Sequence, residues 1–140
     1  MTGKQNIPDT LRRQARERAQ NRCEYCLLHE DDAYLPFEVD HIIAEKRGGV
    51  TLIENLAWAC ALCNRYKGTD LASIDPQSDR LIALFHPRRQ QWRRHFRVVN
   101  GTIEPLTAAG RATVRLLRLN QPERVLVRAM LIGMGRYPAS

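Results

Sequence analysis

The stretches CEYC at residues 23–26 and CALC at residues 60–63 decide the fold of this 140-residue chain. Each stretch holds two cysteines separated by two residues, so both thiols can bind one metal ion from a tight turn. Four thiolates in a tetrahedral shell are the ligands that zinc prefers in structural sites. The sequence therefore predicts one structural Zn²⁺, with the ligands Cys23, Cys26, Cys60 and Cys63.

The use of all four cysteines in two such pairs favours zinc over two alternatives. A redox-active pair or inert core thiols would also account for cysteines, and both stay open at this point. A zinc ion bound here would clamp residues 27–59 into a closed loop. Within that loop, apolar residues predict two strands, over 37–43 and 52–59, and a helix is expected over 62–67, ending near Gly68.

The stretch EVDHII at residues 38–43 sets an acid and a base side by side inside the first of these strands. A buried Asp–His pair needs partners or a function, because burial of unpaired polar groups costs free energy. Neighbouring residues on a regular strand face opposite sides of the sheet. Asp40 and His41 can therefore converge on one site only if the strand ends or bulges, and we expect irregular backbone at residues 40–42.

Asn64 and Lys67, which follow the last cysteine, extend this polar set. On an ideal helix Asn64 lies about 100° round from Cys63, so it can face the strands while the cysteine faces the metal. Carboxylate and amide oxygens suit Mg²⁺ or Mn²⁺, and a histidine can accept a proton at neutral pH. Asp40, Asn64 and His41 are thus candidates for a second metal site with an adjacent general base, although an Asp-His dipeptide taken alone is more often structural.

Charge is distributed unevenly along the chain, which has a net charge of +7 and a pI of about 9.7. Residues 71–140 carry twelve Lys and Arg against four Asp and Glu, whereas residues 1–70 are close to neutral. The excess of positive charge over residues 71–140 indicates a polyanionic partner, although a requirement for solubility would also explain this excess. The segment HPRRQQWRRHF at residues 86–96 places four arginines around Trp92, which suits phosphate contacts and base stacking. The predicted nucleic-acid contacts are Lys46, Arg47, Lys67, Arg88, Arg89, Arg93 and Arg94.

Length and pattern predict a single domain over residues 1–140, with a core at 20–70 and a basic C-terminal extension at 71–140. Helices are expected at 11–20, 78–85, 107–120 and 122–134, and Asn100-Gly101 between apolar strand formers predicts a hairpin. The sequence shows no secretory signal and no apolar run of about 20 residues. We therefore expect a cytoplasmic protein without a membrane partner.

Taken together, these motifs resemble the HNH endonucleases that contain a four-cysteine zinc site. The resemblance covers roughly residues 20–70 and includes Asp40-His41-Ile42, Gly48-Gly49, Asn55-Leu56 and the run from Cys60 to Gly68. It implies an α+β fold with a ββα-metal core, a structural zinc, flanking helices and a small C-terminal hairpin.

The resemblance also implies a role for each polar residue of the motif. Asp40 matches the acidic metal ligand and His41 the general base. Asn55 matches the middle Asn, which in the family braces the loop that carries the base. Asn64 stands where the name-giving pattern has histidine and several members have asparagine, so it is expected to ligate the catalytic ion.

The implied activity is that of a metal-dependent endonuclease that hydrolyses DNA phosphodiester bonds and leaves 5′-phosphate and 3′-hydroxyl ends. The expected cofactors are Zn²⁺ for structure and Mg²⁺ or Mn²⁺ for catalysis, and the expected partner is double-stranded or branched DNA. A homodimer stays open, as do two other functions: a non-catalytic zinc-stabilised nucleic-acid-binding module and a structural interaction protein. For Lys67, phosphate contact and a surface position at the helix end are equally compatible with the sequence.

Overall fold

The computed structural model describes residues 7–138 and has mixed helix and strand content. Its helices and strands are, in chain order, α1 (Asp9–Arg18), β1 (Glu38–His41), β2 (Leu56–Ala59), α2 (Ala61–Lys67), β3 (Ala72–Asp75), β4 (Arg80–Ala83), α3 (Trp92–His95), β5 (Phe96–Val99), β6 (Thr102–Pro105), α4 (Ala108–Leu116) and α5 (Pro122–Gly133). Within this range each strand pairs with its neighbour in sequence, which gives three antiparallel hairpins. The fold is α+β, as predicted.

The first hairpin joins β1 to β2, with His41 opposite Leu56. Both strands are shorter than predicted because the loop between them contains turns of its own. A 3₁₀ turn at Glu45–Arg47 ends at Gly48, whose φ of 95° favours glycine. A second 3₁₀ turn, Ile53–Asn55, occupies the positions just before β2. The hairpin therefore holds His41 at the point where regular pairing ends.

Helix α2 follows β2 directly and confirms the predicted helix. Cys60 is its N-cap, and the Cys60 Sγ accepts a hydrogen bond from the Cys63 N–H at 3.4 Å. The helix ends at Gly68, which has a φ of 54°. Since α2 packs against β1, the order β1, β2, α2 forms the ββα unit expected of the core.

The predicted helix over 78–85 is wrong, because this segment lies in the hairpin of β3 and β4. The Asp75 carboxylate accepts hydrogen bonds from the Gln77 N–H at 3.0 Å and from the Ser78 hydroxyl at 2.8 Å. Such side-chain contacts stabilise a turn directly after the strand. Asp79 then adopts a φ of 59°, which a regular helix does not contain. The apolar residues that follow pair with β3 as a strand.

The predicted Asn100-Gly101 hairpin and the last two helices are confirmed, although α4 ends at Leu116 and not at residue 120. Asn100 and Gly101 take φ values of 52° and 88° in the turn between β5 and β6, as a two-residue hairpin turn requires. Thr107 caps α4 by accepting a hydrogen bond from the Gly110 N–H at 3.0 Å, and Pro122 opens α5. None of the helices within residues 7–138 is long and apolar enough to cross a membrane.

One buried cluster contains side chains from both halves of the chain, among them Ala15, Leu56, Phe96 and Leu119. Trp92 packs against it, with its ring centroid 5.0 Å from that of Phe96. Trp92 is half-buried and packs inward against the core. The basic segment around it is thus tied to the core that carries the cysteines.

Candidate metal centre and active site

Two cysteine-containing turns, called the knuckles here (residues 23–26 and 60–63), meet beside the first hairpin. Their four sulfurs lie within 4.8 Å of one another, and all four side chains are buried. Cys26 Sγ and Cys60 Sγ are 3.8 Å apart, about the separation expected of two sulfurs that bind one tetrahedral zinc at about 2.3 Å. The predicted four-cysteine cluster is confirmed, and its donors fit a structural Zn²⁺.

Each knuckle folds so that backbone N–H groups point at a sulfur. In the first, the N–H groups of Tyr25 and Cys26 donate to Cys23 Sγ, both at 3.4 Å. In the second, the Cys63 N–H donates to Cys60 Sγ at the same distance. Donors directed at sulfur favour the charged thiolate, which is the form that binds metal.

Asp40 lies fully buried at the contact between β1 and α2. Its carboxylate accepts a 2.7 Å hydrogen bond from the Tyr25 hydroxyl. The Lys67 ammonium lies 3.1 Å from one carboxylate oxygen and 3.3 Å from the other. The buried charge of Asp40 is therefore compensated by a cation and by a phenol from the first knuckle.

Lys67 is not a surface residue, and that alternative is wrong: the residue is only 2% exposed. Its ammonium donates to Asp40 and also to the His41 carbonyl at 3.1 Å. The last turn of α2 thus directs the lysine inward onto β1. Lys67 therefore contacts the side chain of Asp40 and the backbone carbonyl of His41.

Asn64, one turn earlier on α2, also faces β1. Its Nδ2 donates a 3.1 Å hydrogen bond to the Glu38 carboxylate. Residues two apart on a strand share a face, so Glu38 and Asp40 lie along the same side of β1 and meet Asn64 and Lys67 there. We call these four residues the β1–α2 seam.

His41 does not converge with Asp40. Strand β1 stays regularly paired through His41, and the chain bends only at Ile42, so the irregular backbone begins later than predicted. The His41 Nε2 lies 2.9 Å from the Thr51 hydroxyl, which itself donates to the Glu45 carboxylate at 3.3 Å. The Thr51 hydroxyl therefore links the His41 ring to the Glu45 carboxylate.

Asn55 spans the loop between β1 and β2. Its Oδ1 accepts from the Ile43 N–H at 2.9 Å, and its Nδ2 donates to the carbonyls of Ile43 at 2.9 Å and Val50 at 2.8 Å. The side chain therefore closes the loop that contains Thr51, the partner of His41. These contacts are of the bracing kind that the family resemblance implies for this position.

The seven predicted nucleic-acid contacts differ in availability. Lys46, Arg89, Arg93 and Arg94 are exposed, and exposed Arg47 donates to the Thr69 carbonyl at 3.3 Å. Arg88 forms an ion pair with Glu24 and its side chain is only 17% exposed. Of the predicted set, Arg88 and Lys67 are thus committed to contacts inside the protein.

Sequence reasoning missed four residues that complete the site: Tyr25, Glu38, Glu45 and Thr51. Glu38 carries a signal, since it lies two positions before Asp40 on the same strand. Tyr25 carries none, because its contact with Asp40 arises only when the first knuckle folds onto the hairpin. Glu45 and Thr51 depend in the same way on the path of the loop.

The oxygen donors of the β1–α2 seam have the chemistry that Mg²⁺ and Mn²⁺ prefer. Besides the cysteines, the described residues contain no group of three His, Cys, Asp or Glu side chains close enough to share an ion. A second ion would therefore take few protein ligands and keep several waters, as Mg²⁺ usually does. The ammonium of Lys67 already occupies the Asp40 carboxylate in the seam. Lys67 must therefore move away from an Asp40 oxygen before that oxygen can bind a metal ion.

Comparison with known proteins adds two findings. The family model of the HNH endonucleases matches residues 23–70. The Septu protein PtuB of Bacillus thuringiensis is 28% identical over 119 residues, which are 84% of this chain and 44% of that protein. The chain thus spans less than half the length of this relative. No solved structure gives a significant match.

The matched segment begins at the first zinc-knuckle cysteine and ends just beyond α2. It contains the β1–β2 hairpin, the loop that Asn55 spans, and the four-cysteine cluster. Residues 23–70 of the chain are therefore similar to the HNH endonuclease family, and the order β1, β2, α2 with its four-cysteine cluster is consistent with the ββα-metal core of that family.

Proposed function

We propose that the protein is a metal-dependent endonuclease that hydrolyses DNA phosphodiester bonds. One observation carries this proposal: the segment that matches the HNH family brings Asp40, Asn64 and Lys67 onto one seam beside His41. These residues contact one another inside the segment that matches the HNH family, which favours a functional site over an ion pair of purely structural role.

His41 is proposed as the general base. Its Nε2 is directed at Thr51, which in turn contacts Glu45. That chain of contacts orients the imidazole ring, and a histidine held in this way would take a proton from the attacking water. His41 is only 4% exposed, so the attacking water would be held in a confined place beside the ring.

Asp40 and Asn64 are proposed as ligands of a catalytic Mg²⁺ or Mn²⁺. Such an ion, when bound, stabilises negative charge on the phosphate and on the leaving oxygen. Lys67 would then turn from Asp40 toward the phosphate while keeping its contact with the His41 carbonyl. Its burial against two partners gives it a fixed starting position for that role.

The proposed substrate is double-stranded or branched DNA, cut to give 5′-phosphate and 3′-hydroxyl ends. The excess of basic residues over 71–140 supports a nucleic-acid partner, as does the HNH match. Exposed Lys46, Arg47, Arg89, Arg93 and Arg94 are the proposed phosphate contacts. We also propose a cytoplasmic location, because four cysteines that form no disulfide are typical of a reducing compartment.

The alternative is a zinc-stabilised nucleic-acid-binding module without catalysis. The basic C-terminal half favours it, and it needs none of the seam residues. Cutting decides between the two functions, since both predict binding to DNA.

The test uses supercoiled plasmid, the zinc-loaded full chain, and added Mg²⁺ or Mn²⁺. The parent is expected to nick the plasmid only when the added ion is present. His41→Ala should lose nicking yet keep its zinc content and thermal unfolding, whereas the control His29→Ala should nick like the parent. If the parent shifts DNA on a gel without cutting under any of these ions, the binding module is the function.

A further inference from the structure

Helix α5 buries two arginines, Arg124 and Arg128, which are 8% and 2% exposed. Buried arginines are rare because removing a charge from water is costly unless the charge is paired. The two residues are one turn apart and so lie on the same face of the helix. Arg124 contacts cysteine sulfurs as well as carbonyl oxygens, whereas the hydrogen bonds of Arg128 go to oxygens only. This difference indicates separate roles for the two arginines.

Arg124 contacts the second zinc knuckle. Its Nη2 lies 3.0 Å from Cys63 Sγ and 3.9 Å from Cys60 Sγ. Its Nη1 donates to the carbonyls of Leu117 at 2.8 Å and Arg118 at 3.1 Å. One guanidinium thus joins the metal ligands to the end of α4.

Arg128 contacts no sulfur in the hydrogen bonds it makes. Its Nε donates to the Gly101 carbonyl at 2.6 Å, and its Nη2 donates to the Leu119 carbonyl at 2.6 Å and to the Asn120 Oδ1 at 3.1 Å. It holds α5 against the β5–β6 turn. Arg128 is therefore an internal control for burial and helix position, and the cysteines act on it only through longer-range charge interactions.

The charge of the centre explains why an arginine is placed there. Four thiolates around one Zn²⁺ leave two uncompensated negative charges in a buried site. A guanidinium at hydrogen-bond distance offsets part of that charge, and the thiolates offset the buried cation in return. The centre and Arg124 therefore stabilise one another only when α5 is docked.

Two other C-terminal residues reach the first knuckle. The Trp92 Nε1 donates to the Tyr25 carbonyl at 2.9 Å, and the Tyr137 hydroxyl donates to the Cys26 carbonyl at 2.7 Å. Both contacts reach the turn that presents Cys23 and Cys26 to the metal. The C-terminal half thus contacts both knuckles.

We propose that Arg124 is a positioning residue of the zinc centre, so that α5 is part of the metal site and zinc binding depends on the C-terminal half of the chain. It follows that the described residues 7–138 form one domain and that their basic C-terminal half is not separable from the zinc-binding core. The inference needs the structural zinc but does not depend on nuclease activity.

The experiment measures zinc affinity of the full chain by competition with a chromogenic chelator. Arg124→Met should bind zinc roughly tenfold to a hundredfold more weakly than the parent, the range found when outer partners of metal ligands are removed. Arg124→Lys, which keeps the charge, should lie between the two. The matched control Arg128→Met should bind zinc close to parental affinity, although it too removes a buried arginine from α5.

A spectroscopic reading separates contact with sulfur from mere packing. In the Co²⁺-substituted protein, a hydrogen bond lowers the energy of the sulfur lone pairs and raises the energy of the thiolate-to-cobalt charge-transfer band. Arg124→Met and Arg124→Lys should shift this band to longer wavelength, whereas Arg128→Lys should not.

Three results would overturn the inference: parental zinc affinity in Arg124→Met, an equal loss of affinity in Arg124→Met and Arg128→Met, or an unshifted cobalt band in Arg124→Lys. The last comparison decides the question if the methionine variants do not fold. All these readings are made without DNA, so they stand whether or not the protein cuts.

Discussion

The hydroxyl of Tyr25 donates a 2.7 Å hydrogen bond to the carboxylate of Asp40. Tyr25 lies between the two cysteines of the first knuckle, so this bond connects the zinc turn to the β1–α2 seam. Burial, together with the nearby negative charge of Asp40, raises the pKa of Tyr25 well above its ordinary value. The phenol therefore keeps its proton and remains a donor to Asp40 over the working pH range.

Tyr25→Phe removes this donor and leaves the ring in place. We expect the free energy of unfolding of the zinc-loaded protein to fall by about 1–3 kcal/mol, because a buried carboxylate loses a charge-assisted hydrogen bond. Urea unfolding measures the loss. The control Tyr34→Phe alters a fully exposed ring and should match the parent. Equal stability of Tyr25→Phe and the parent would mean that Asp40 does not need the phenol.

Gly49 is expected to tolerate no side chain. A Cβ there would overlap the Ile43 carbonyl and lie 2.9 Å from the Asn55 Nδ2, so the loop would have to open. We expect Gly49→Ala to reduce the free energy of unfolding by at least about 3 kcal/mol. Thermal or urea unfolding of the zinc-loaded protein measures it.

The neighbouring glycine is the matched control. A Cβ at Gly48 meets open space, but the φ of 95° is unfavourable for alanine, so Gly48→Ala should lose only about 1–2 kcal/mol. We therefore predict that Gly49→Ala is less stable than Gly48→Ala. If Gly48→Ala is the less stable variant, the close contact between Gly49 and the Ile43 carbonyl does not determine the loop conformation.

Asn55→Ala should loosen the loop that carries Thr51. The substitution leaves the Ile43 N–H and two carbonyls without their side-chain partner, and we expect a loss of about 3 kcal/mol in stability. Hydrogen exchange gives the more specific reading, because the Ile43 amide should lose its protection. Glu54→Ala, at an exposed neighbouring position, should leave that amide as slowly exchanging as in the parent.

Local spacing makes parts of this structure predictable. The knuckles, the ββα order, the Asn100-Gly101 hairpin and the Thr107 cap each depend on residues a few positions apart. The apolar pattern of 78–85 taken alone predicts a helix. The turn that Asp75 stabilises just before it makes this segment a strand instead.

Tertiary contacts explain what the sequence could not predict. Lys67 is compatible with a surface position until its helix is placed on β1, where the lysine meets Asp40. Arg124 is distant in sequence from the cysteines it contacts, and nothing in its local pattern distinguishes it from a solvated arginine. The separate orientations of Asp40 and His41 follow from a strand that stays regular through its last residue.

The ion pair of Asp75 and Arg111 should make the stability of the protein depend on pH. The Arg111 guanidinium donates two hydrogen bonds to the Asp75 carboxylate, at 2.8 and 3.0 Å, and it holds the pKa of that carboxyl well below its usual range. An aspartate in the unfolded chain titrates near pH 3.9. Because the folded pKa is the lower one, the pair contributes its full stability above about pH 4 and loses it as the pH falls toward the folded pKa.

Asp75→Asn cannot make this charged contact at any pH. The difference in unfolding free energy between the parent and Asp75→Asn should therefore be constant from pH 7 to about pH 5 and shrink below about pH 4. Urea unfolding at a series of pH values measures it, and loss of zinc in acid affects both proteins alike, so it cancels in the difference. Exposed Asp79→Asn should stay close to the parent throughout. A difference for Asp75→Asn that does not change with pH would show that the ion pair with Arg111 is not its source, since a lost hydrogen bond between neutral groups has no reason to vanish in acid.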